Sequence, residues 1–235
     1  MDKRPSIIGR MFDRIAPTYD LLNTVLSFSL DKSWRRAAIN LLEIHAGDAV
    51  LDIATGTGDL AIPIAHGGGN VIGVDLSRQM LLRALGKADE QGLRTRYSVV
   101  QGDALSMPFR NETFNSALVA FGIRNMNNLE AFLAEIHRVL NTNGRFAVLE
   151  FSLPESPLWR CIYGVYLKCV VPVIGGLISG DYDAYRYLRD SVTEFPVPRV
   201  LEEIMKGQDF RIVRSRSIFG GVSHLYLIEK QRRIL

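Results

Sequence analysis

Short apolar runs alternate with amphipathic stretches along the chain from Ala49 to Phe151. The apolar runs are bounded by turn-forming residues and are too short for helices, so they predict strands. These strands are Ala49–Ile53, Asn70–Val74, Thr95–Gln101, Ser116–Phe121 and Arg145–Phe151. Strands that alternate with helices are typical of βαβ units, so the pattern predicts an α/β fold with a mainly parallel sheet.

Two of the amphipathic stretches have helical spacing and predict helices that pack on this sheet. Their apolar faces are Met80, Leu81, Ala84, Leu85 and Ala88 in the first and Leu129, Phe132, Leu133, Ile136 and Leu140 in the second. Ser77 and either Asn127 or Asn128 are predicted to cap their N-termini. Asn143-Gly144 is predicted to close the second helix.

The pattern changes on both sides of this region. The first 46 residues mix polar and aromatic residues and predict two short helices, and residues 154–195, rich in Pro, Gly and Tyr, predict an inserted lid. A helix near Pro198–Lys206 then leads to two strands, Phe210–Ser217 and Ser223–Lys230. Because Gly220-Gly221 lies between them, these strands are predicted to form a terminal hairpin.

Composition and charge limit the classes of binding partner that we expect. The chain has 47% apolar and 23% charged residues, as in an ordinary globular protein, and a net charge of +3. This charge is weak, and no basic stripe is interleaved with stacking aromatics, so we expect no nucleic-acid partner. Residues 206–235 carry seven Lys/Arg against two Asp/Glu. That excess indicates a solvated strand face or tail, with a peripheral contact to an anionic membrane as the alternative.

The cysteines and the N-terminus indicate a cytoplasmic protein. Cys161 and Cys169 have no metal-ligand spacing and form no disulfide framework, and the first residues contain no apolar stretch of signal-peptide length. The apolar segment Cys161–Gly180 contains Lys168 near its middle, and its uncharged run of twelve residues is shorter than the ~20 that a membrane span needs. It predicts a buried or lipid-facing lid helix, not a transmembrane anchor.

The turn after the first strand carries the clearest chemical signal. In the run Val50-Leu-Asp-Ile-Ala-Thr-Gly-Thr-Gly-Asp59, the glycines permit a sharp turn and the close approach of a ligand. Asp75 ends the second strand, where a carboxylate can accept both hydroxyl hydrogens of an adenosine ribose. The alternative interpretation is an ordinary tight turn and an ordinary strand-end Asp.

A dinucleotide site is the rival hypothesis, since Gly56-x-Gly58-x-x-Ala61 with Asp75 satisfies that fingerprint. Three observations count against an NAD-dependent oxidoreductase. Asp52 would crowd a pyrophosphate but suits the ammonium of a methionine moiety. No second mononucleotide-binding half follows the fifth strand. The one Tyr-x-x-x-Lys, Tyr226 to Lys230, lies on a predicted strand.

The sequence resembles the class I methyltransferases, and more closely the C-methyltransferases of menaquinone and ubiquinone biosynthesis. The matching motifs are Phe12-x-x-Ile-Ala-x-x-Tyr-Asp-x-x-Asn23, Leu51-Asp-Ile-Ala-Thr-Gly-Thr-Gly-Asp-Leu-Ala61, Phe121-Gly-Ile-Arg-Asn125, Leu149-Glu-Phe-Ser-x-Pro154, Ala184-Tyr-x-Tyr-Leu188 and Ser191-x-x-x-Phe-Pro196. The resemblance covers nearly the whole chain. It implies a Rossmann-like seven-stranded sheet with an antiparallel terminal strand and a helical lid.

The resemblance, together with the loop, implies S-adenosyl-L-methionine as cofactor. The expected cofactor residues are Asp52, Gly56, Thr57, Gly58, Asp75, Leu76, Asp103, Ala104 and Ala120. The expected catalytic residues are Arg124, Asn125, Tyr19 and Asp20: Arg124 stabilises a ring phenolate, Asn125 and Tyr19 bond ring oxygens, and a water held by Arg124, or Asp20, takes the hydroxyl proton. Structural roles remain alternatives for Arg124 and Tyr19.

Several residues depart from the family pattern. Ala120 often carries a hydroxyl in relatives, Asp31 and Tyr226 stand where His is usual, and Arg189 replaces a proline. The last three changes concern the acceptor. We expect C-methylation of a polyprenyl quinol, with demethylmenaquinol ahead of a ubiquinone-type benzoquinol. Another small phenol or lipid, or a non-catalytic assembly subunit, remains an alternative.

The predicted organisation has four segments. Residues 1–46 form a helical lid and acceptor segment, residues 47–153 the cofactor-binding core, residues 154–197 the lid insertion, and residues 198–235 a helix and hairpin that complete the core. A lid made by the first and third segments can exclude water from the reaction. A homodimer or a quinone-biosynthesis complex is left open as a partner.

Overall fold

A seven-stranded sheet forms the centre of the computed structural model, which describes residues 2–231. The strands are β1 (Ala49–Ile53), β2 (Asn70–Asp75), β3 (Tyr97–Gln101), β4 (Phe114–Ala120), β5 (Leu140–Phe151), β6 (Phe210–Ile218) and β7 (Ser223–Lys230). Their order is β3-β2-β1-β4-β5-β7-β6, and β7 runs antiparallel to both of its neighbours. The predicted class I Rossmann-like fold, with its antiparallel last strand, is confirmed.

Ten α-helices in the described part of the chain surround this sheet. They are α1 (Pro5–Ile15), α2 (Tyr19–Leu26), α3 (Leu30–Leu42), α4 (Ala61–His66), α5 (Arg78–Glu90), α6 (Leu129–Val139), α7 (Pro157–Val165), α8 (Val171–Ser179), α9 (Tyr182–Glu194) and α10 (Pro198–Gly207). Strand residues alternate between two apolar clusters, since neighbouring side chains of a strand point to opposite faces. Helices α6 and α10 cover one face, and α3, α4 and α5 cover the other.

The caps of the two core helices are as predicted, but one predicted helix end is wrong. Ser77 accepts a hydrogen bond from the Met80 amide, and Asn128 accepts one from the Ala131 amide. Helix α6 ends at Val139 and passes directly into β5, so Asn143-Gly144 lies within the strand segment instead of closing the helix. Pairing of the first β5 residue with β4 replaces the expected turn.

The prediction of two N-terminal helices was also wrong, because the segment forms three. A 3-10 turn at Ala16–Thr18 separates α1 from α2, and Phe28 and Ser29, both in the left-handed region, separate α2 from α3. A proline at position 17 and the two strained residues provide the breaks that apolar periodicity alone does not reveal.

The N-terminal helices and the lid helices pack together beside the carboxyl end of the sheet. One apolar cluster joins residues of α1, α2 and α3 to residues of α7, α8 and α9, and to Phe121 and Leu149 at the strand ends. Gly175 and Gly176 allow α9 to approach α8, since a Cβ on either would collide with the ring of Tyr185 or Tyr182. The carboxyl edge of the sheet is therefore covered by helices from both ends of the chain.

The lid contains a 23-residue helical stretch, Pro157–Ser179, that is long and apolar enough to cross a membrane. A π-helical turn at Tyr166–Val170, followed by Pro172, interrupts the regular helix. One third of its most apolar window is buried, and Tyr163, Leu167 and Val171 pack into the molecule. The stretch therefore has one face on the protein and one apolar face toward solvent.

Candidate active site

The loop between β1 and α4 shapes a cavity at the carboxyl edge of the sheet. Ala54, Gly56 and Gly58 all have positive φ, so the chain turns back sharply after the strand. The Gly56 amide donates a hydrogen bond of 2.9 Å to Oδ2 of Asp75, which ties the loop to the end of β2. Gly58 has φ +84°, a conformation that residues with a side chain rarely adopt, so this position favours glycine.

Six of the nine predicted cofactor residues line this cavity. They are Gly56, Asp75, Leu76, Asp103, Ala104 and Ala120. Apolar side chains that include Val74, Met80 and Met126 form much of the remaining wall. The cavity therefore combines two carboxylates with apolar surface, which suits the hydroxyls of a ribose and the faces of an adenine ring.

Asp75 is the polar centre of this cavity. Its Oδ1 accepts a hydrogen bond from the Ser77 amide at 2.8 Å, and its Oδ2 accepts the bond from Gly56. Each oxygen keeps a further lone pair for a ligand hydroxyl. Burial raises the pKa of Asp75 to about 6, above its usual 3.8, despite these amide donors. Additional hydrogen-bond donors, such as the hydroxyls of a ribose, would therefore stabilise the charged form of Asp75.

Asp52, Thr57 and Gly58, the other three predicted cofactor residues, are buried and do not line the cavity. Asp52 is fully buried; its Oδ2 accepts a bond from Thr55, and its Oδ1 has no hydrogen-bond partner. Burial raises the pKa of Asp52 to about 7. A buried carboxylate with an unpartnered oxygen fits a cationic cofactor such as S-adenosyl-L-methionine, whose charge it can offset.

A second and larger cavity, of about 290 Å³, adjoins the first. Its wall comes from α1, α2, α3, the lid helices and the strand ends, and it is mostly aromatic or aliphatic. Phe12, Tyr19 and Phe121 line both cavities. A group bound in the larger cavity can therefore meet a group bound in the smaller one at these three rings.

The predicted catalytic residues differ in where they lie. Tyr19 lines both cavities, and Asn125 lines the cofactor cavity and accepts a 3.0 Å hydrogen bond from Tyr187. Arg124 lines the larger cavity. Asp20 lines neither; it accepts a hydrogen bond from Thr57 and pairs with Lys87 at 2.7 Å. The structure thus brings three of the four residues to the two cavities.

Arg124 is held by a buried carboxylate that the sequence did not single out. Its Nη1 lies 2.7 Å from Oε1 of Glu150 and also donates to the Phe121 carbonyl, while its Nε is buried without a partner. The guanidinium lies over the ring of Phe151, which stacks on Phe121. Glu150 stands within a motif that matched the family, but nothing in the sequence pairs it with Arg124.

Sequence reasoning noted Asp31 only as a departure from the family pattern that concerns the acceptor, and it did not single out Arg35. They form a buried ion pair one helical turn apart on α3, and both line the larger cavity. Arg35 lies 5.5 Å from the ring centroid of Phe121. Tyr226 and Arg189, the other two departures that concern the acceptor, line neither cavity. The spacing of four residues was the available signal for this pair.

Comparison with known proteins agrees with this geometry. The ubiE/COQ5 methyltransferase family matches residues 1–230. The chain belongs to this family. It is therefore an S-adenosyl-L-methionine-dependent methyltransferase. A ubiquinone/menaquinone biosynthesis C-methyltransferase of Syntrophotalea carbinolica is 46% identical over 96% of this chain and 95% of its own length.

Two further comparisons address sequence and fold. A demethylmenaquinone methyltransferase of Thermus thermophilus is 43% identical to this methyltransferase over 89% of the chain and 96% of its own length. The crystal structure of a SAM-dependent methyltransferase from Aquifex aeolicus superimposes with a TM-score of 0.60. That match covers 84% of this chain and 89% of the other at 16% identity, so it supports the fold alone.

Proposed function

We propose that this methyltransferase methylates a ring carbon of a polyprenyl quinol, with demethylmenaquinol as the preferred acceptor and a ubiquinone-type benzoquinol as the alternative. The observation that carries the proposal is the 290 Å³ apolar cavity, which meets the cofactor cavity at Tyr19 and Phe121. A flat aromatic ring with an isoprenoid tail matches such a wall. The names of the two relatives support the same substrate class.

The reaction requires an electron-rich ring carbon. Bound S-adenosyl-L-methionine supplies an electrophilic methyl group on a sulfonium. Ionisation of the ring hydroxyl pushes electron density onto the neighbouring carbon, so the reduced quinol is the reactive form. Arg124 lines the acceptor cavity, and its buried Nε–H has no partner. We assign its guanidinium the stabilisation of the ring phenolate. Glu150 holds that guanidinium in position.

Two tyrosines and Asn125 orient the ring in this proposal. Tyr19 stands at the junction of the cavities, and Tyr187 bonds Asn125 across the two walls. Burial raises the pKa of Tyr19, and it raises that of Tyr187 to about 12. Both hydroxyls therefore stay protonated at neutral pH. The Tyr19 hydroxyl can donate to a ring oxygen, whereas the Tyr187 hydroxyl donates to Asn125, whose amide NH2 can then donate to the ring.

The mouth of the acceptor cavity is where we place the tail. Phe28, Ile162 and Phe219 line the cavity and are exposed by 75%, 50% and 52%. They come from three separate segments, and both phenylalanines have positive φ. Bulky residues rarely adopt this conformation, and such strain is concentrated at functional positions. We assign these three residues to the rim through which the isoprenoid tail leaves.

We further propose that this enzyme is cytoplasmic and contacts the membrane at the same mouth. We assign to this contact the exposed apolar side chains of α2, of the turn that follows it and of Pro157–Ser179: Leu21, Val25, Phe28, Leu158, Ile162, Val165, Val173 and Leu177. Lys168 is exposed in the same stretch and suits anionic headgroups. Flotation with anionic vesicles tests this contact. The alternative is that this face binds a second copy of the chain or another protein of a quinone-biosynthesis complex. Sedimentation in the absence of lipid would detect such an assembly.

The test of the proposed reaction is anaerobic turnover with methyl-labelled S-adenosyl-L-methionine. Chemically reduced demethylmenaquinone and demethoxy-type benzoquinone analogues are offered side by side, with the oxidised forms as controls. We expect label on a ring carbon of the reduced naphthoquinol and none on either oxidised form. Cofactor binding without transfer to any quinol would instead favour another phenol or lipid acceptor, or a non-catalytic assembly subunit.

A further inference from the structure

Asp31 is the one carboxylate that lines the acceptor cavity in the described part of the chain. Its side chain is buried; Oδ1 accepts a 2.7 Å hydrogen bond from Ser27, and Oδ2 pairs with Arg35. A carboxylate has about four acceptor positions, and these two bonds occupy two of them. Asp31 therefore retains acceptor capacity inside an otherwise apolar cavity.

The Asp31–Arg35 pair lies near the junction with the cofactor cavity. Arg35 is 5.5 Å from the ring centroid of Phe121, which lines both cavities. Arg124 approaches the same aromatic stack from Phe151. Two guanidinium–carboxylate pairs thus flank the stacked rings, but Glu150 lines neither cavity. Of the carboxylates in these two pairs, only that of Asp31 lines a cavity in which a ligand can reach it.

The other titratable groups of the cavity wall do not compete for a proton. They are Arg35, Arg124 and the five tyrosines Tyr19, Tyr163, Tyr166, Tyr185 and Tyr187. Burial raises the pKa of every one of these tyrosines, to about 12 for Tyr166. Asp59 faces Arg35 from the β1–α4 loop at 3.5 Å but lies outside both cavities, as does Asp20.

We propose that Asp31 is the proton acceptor for the ring hydroxyl, an inference that rests on the proposed quinol reaction. The hydroxyl proton moves to the Asp31 carboxylate while the ring carbon forms a bond to the methyl carbon. The methyl–sulfur bond breaks with its electron pair left on sulfur. Loss of the proton at the methylated carbon to solvent restores the aromatic ring as a phenolate, and Asp31 returns its proton to the ring oxygen to give the methylated quinol. The net reaction releases one proton.

The test compares wild type with Asp31→Asn in single turnover at saturating labelled cofactor, from pH 6 to pH 10. We expect a loss of about 10²-fold or more near pH 7, the usual contribution of a general base. The deficit shrinks by up to about tenfold per pH unit, because solvent ionises the quinol at higher pH. Asp59→Asn is the matched control: it removes a carboxylate from Arg35 outside the cavity, so any loss is independent of pH. A pH-independent deficit in Asp31→Asn overturns the proposal.

A second measurement separates this proposal from the reaction itself. A nitronaphthol is titrated in the acceptor cavity by its phenolate colour. A carboxylate that accepts its hydroxyl hydrogen stabilises the neutral form, so the pKa of the bound phenol falls in Asp31→Asn. An unchanged pKa excludes contact by Asp31. If wild type methylates no quinol but this shift is present, the quinol reaction fails while the acceptor contact of Asp31 stands.

Discussion

The two cavities of this methyltransferase are built in different ways. The cofactor cavity is formed largely by a short loop and strand ends, held by backbone hydrogen bonds such as that from Gly56 to Asp75. The acceptor cavity is formed by helices far apart in sequence, with few polar ties such as Tyr166 to the Leu26 carbonyl. The cofactor cavity is therefore determined by local sequence and by groups held in place by backbone hydrogen bonds. The acceptor cavity depends on how apolar segments that are distant in sequence pack together. Its shape can therefore change more easily to suit a different acceptor.

The largest effect is expected at the fixed site, for Asp75→Asn. Removing the charge weakens two hydrogen bonds to ribose hydroxyls, each worth about 1.5–3 kcal/mol with a charged acceptor, so cofactor affinity falls by about 100-fold or more. Calorimetry measures the affinity, and binding of a quinol analogue is the control. An equal loss of both ligands would mean that the variant disturbs the whole site and would remove the distinction between the cavities.

The raised pKa of Asp75 gives the same site a pH dependence. Only the carboxylate accepts two hydroxyl hydrogens, so in wild type cofactor affinity falls as the pH drops through about 6. The folded pKa lies above the unfolded value of 3.8, so the stabilising contribution of this group is complete below 3.8 and is lost as the pH rises through about 6. The melting temperature of cofactor-free Asp75→Asn relative to wild type is therefore higher at pH 7 than at pH 4, whatever the constant cost of replacing one amide acceptor. Thermal unfolding of both proteins at pH 7 and at pH 4 tests the sign of this difference in melting temperature.

In the wall of the acceptor cavity, Arg124→Ala is expected to lower kcat by about 10²–10³-fold with little change in cofactor affinity. It also leaves Glu150 buried and unpaired, which costs about 3–5 kcal/mol of unfolding free energy. The double variant Arg124→Met with Glu150→Gln removes the unpaired charge and regains much of that stability. Recovery of turnover in the double variant would show that Arg124 acts through the fold alone.

Phe28→Ser tests the rim of the acceptor cavity. We expect KM for a long-tailed quinol to rise about tenfold, because the lost ring contributes roughly 1–2 kcal/mol of apolar contact. A tail-less quinol analogue should keep its KM, and kcat should change little for either. Leu177→Ser, on the apolar face but outside the cavity wall, is the matched control for a general loss of membrane contact. Equal changes in KM for both acceptors would show that the isoprenoid tail does not contact Phe28.

The difference between the cavities also explains what the sequence could predict. Strand ends, glycines and the spacing of Asp75 are local patterns, so most of the cofactor site could be predicted from them. Pairing of Arg124 with Glu150 joins residues 26 positions apart, and Asp31 reaches the site only because α3 packs near Phe121. No local pattern contains these contacts. The third N-terminal helix was missed for a related reason, since strained residues at Phe28 and Ser29 divide a continuous apolar pattern.

The smallest predicted effect concerns the contact that joins the two walls. Tyr187→Phe removes only the hydroxyl that donates to Asn125, so its cost is that of one hydrogen bond, about 0.5–1.5 kcal/mol, or a loss of kcat/KM of about two- to twelvefold. If the tyrosine orients the acceptor through Asn125, cofactor affinity stays constant and Asn125→Ala brings no further loss in the double variant. Additive losses would mean that the two residues act separately. In that case, within the described residues, the cofactor cavity and the acceptor cavity are coupled only at Phe12, Tyr19 and Phe121, and the rest of the acceptor wall can change without disturbing the methyl donor.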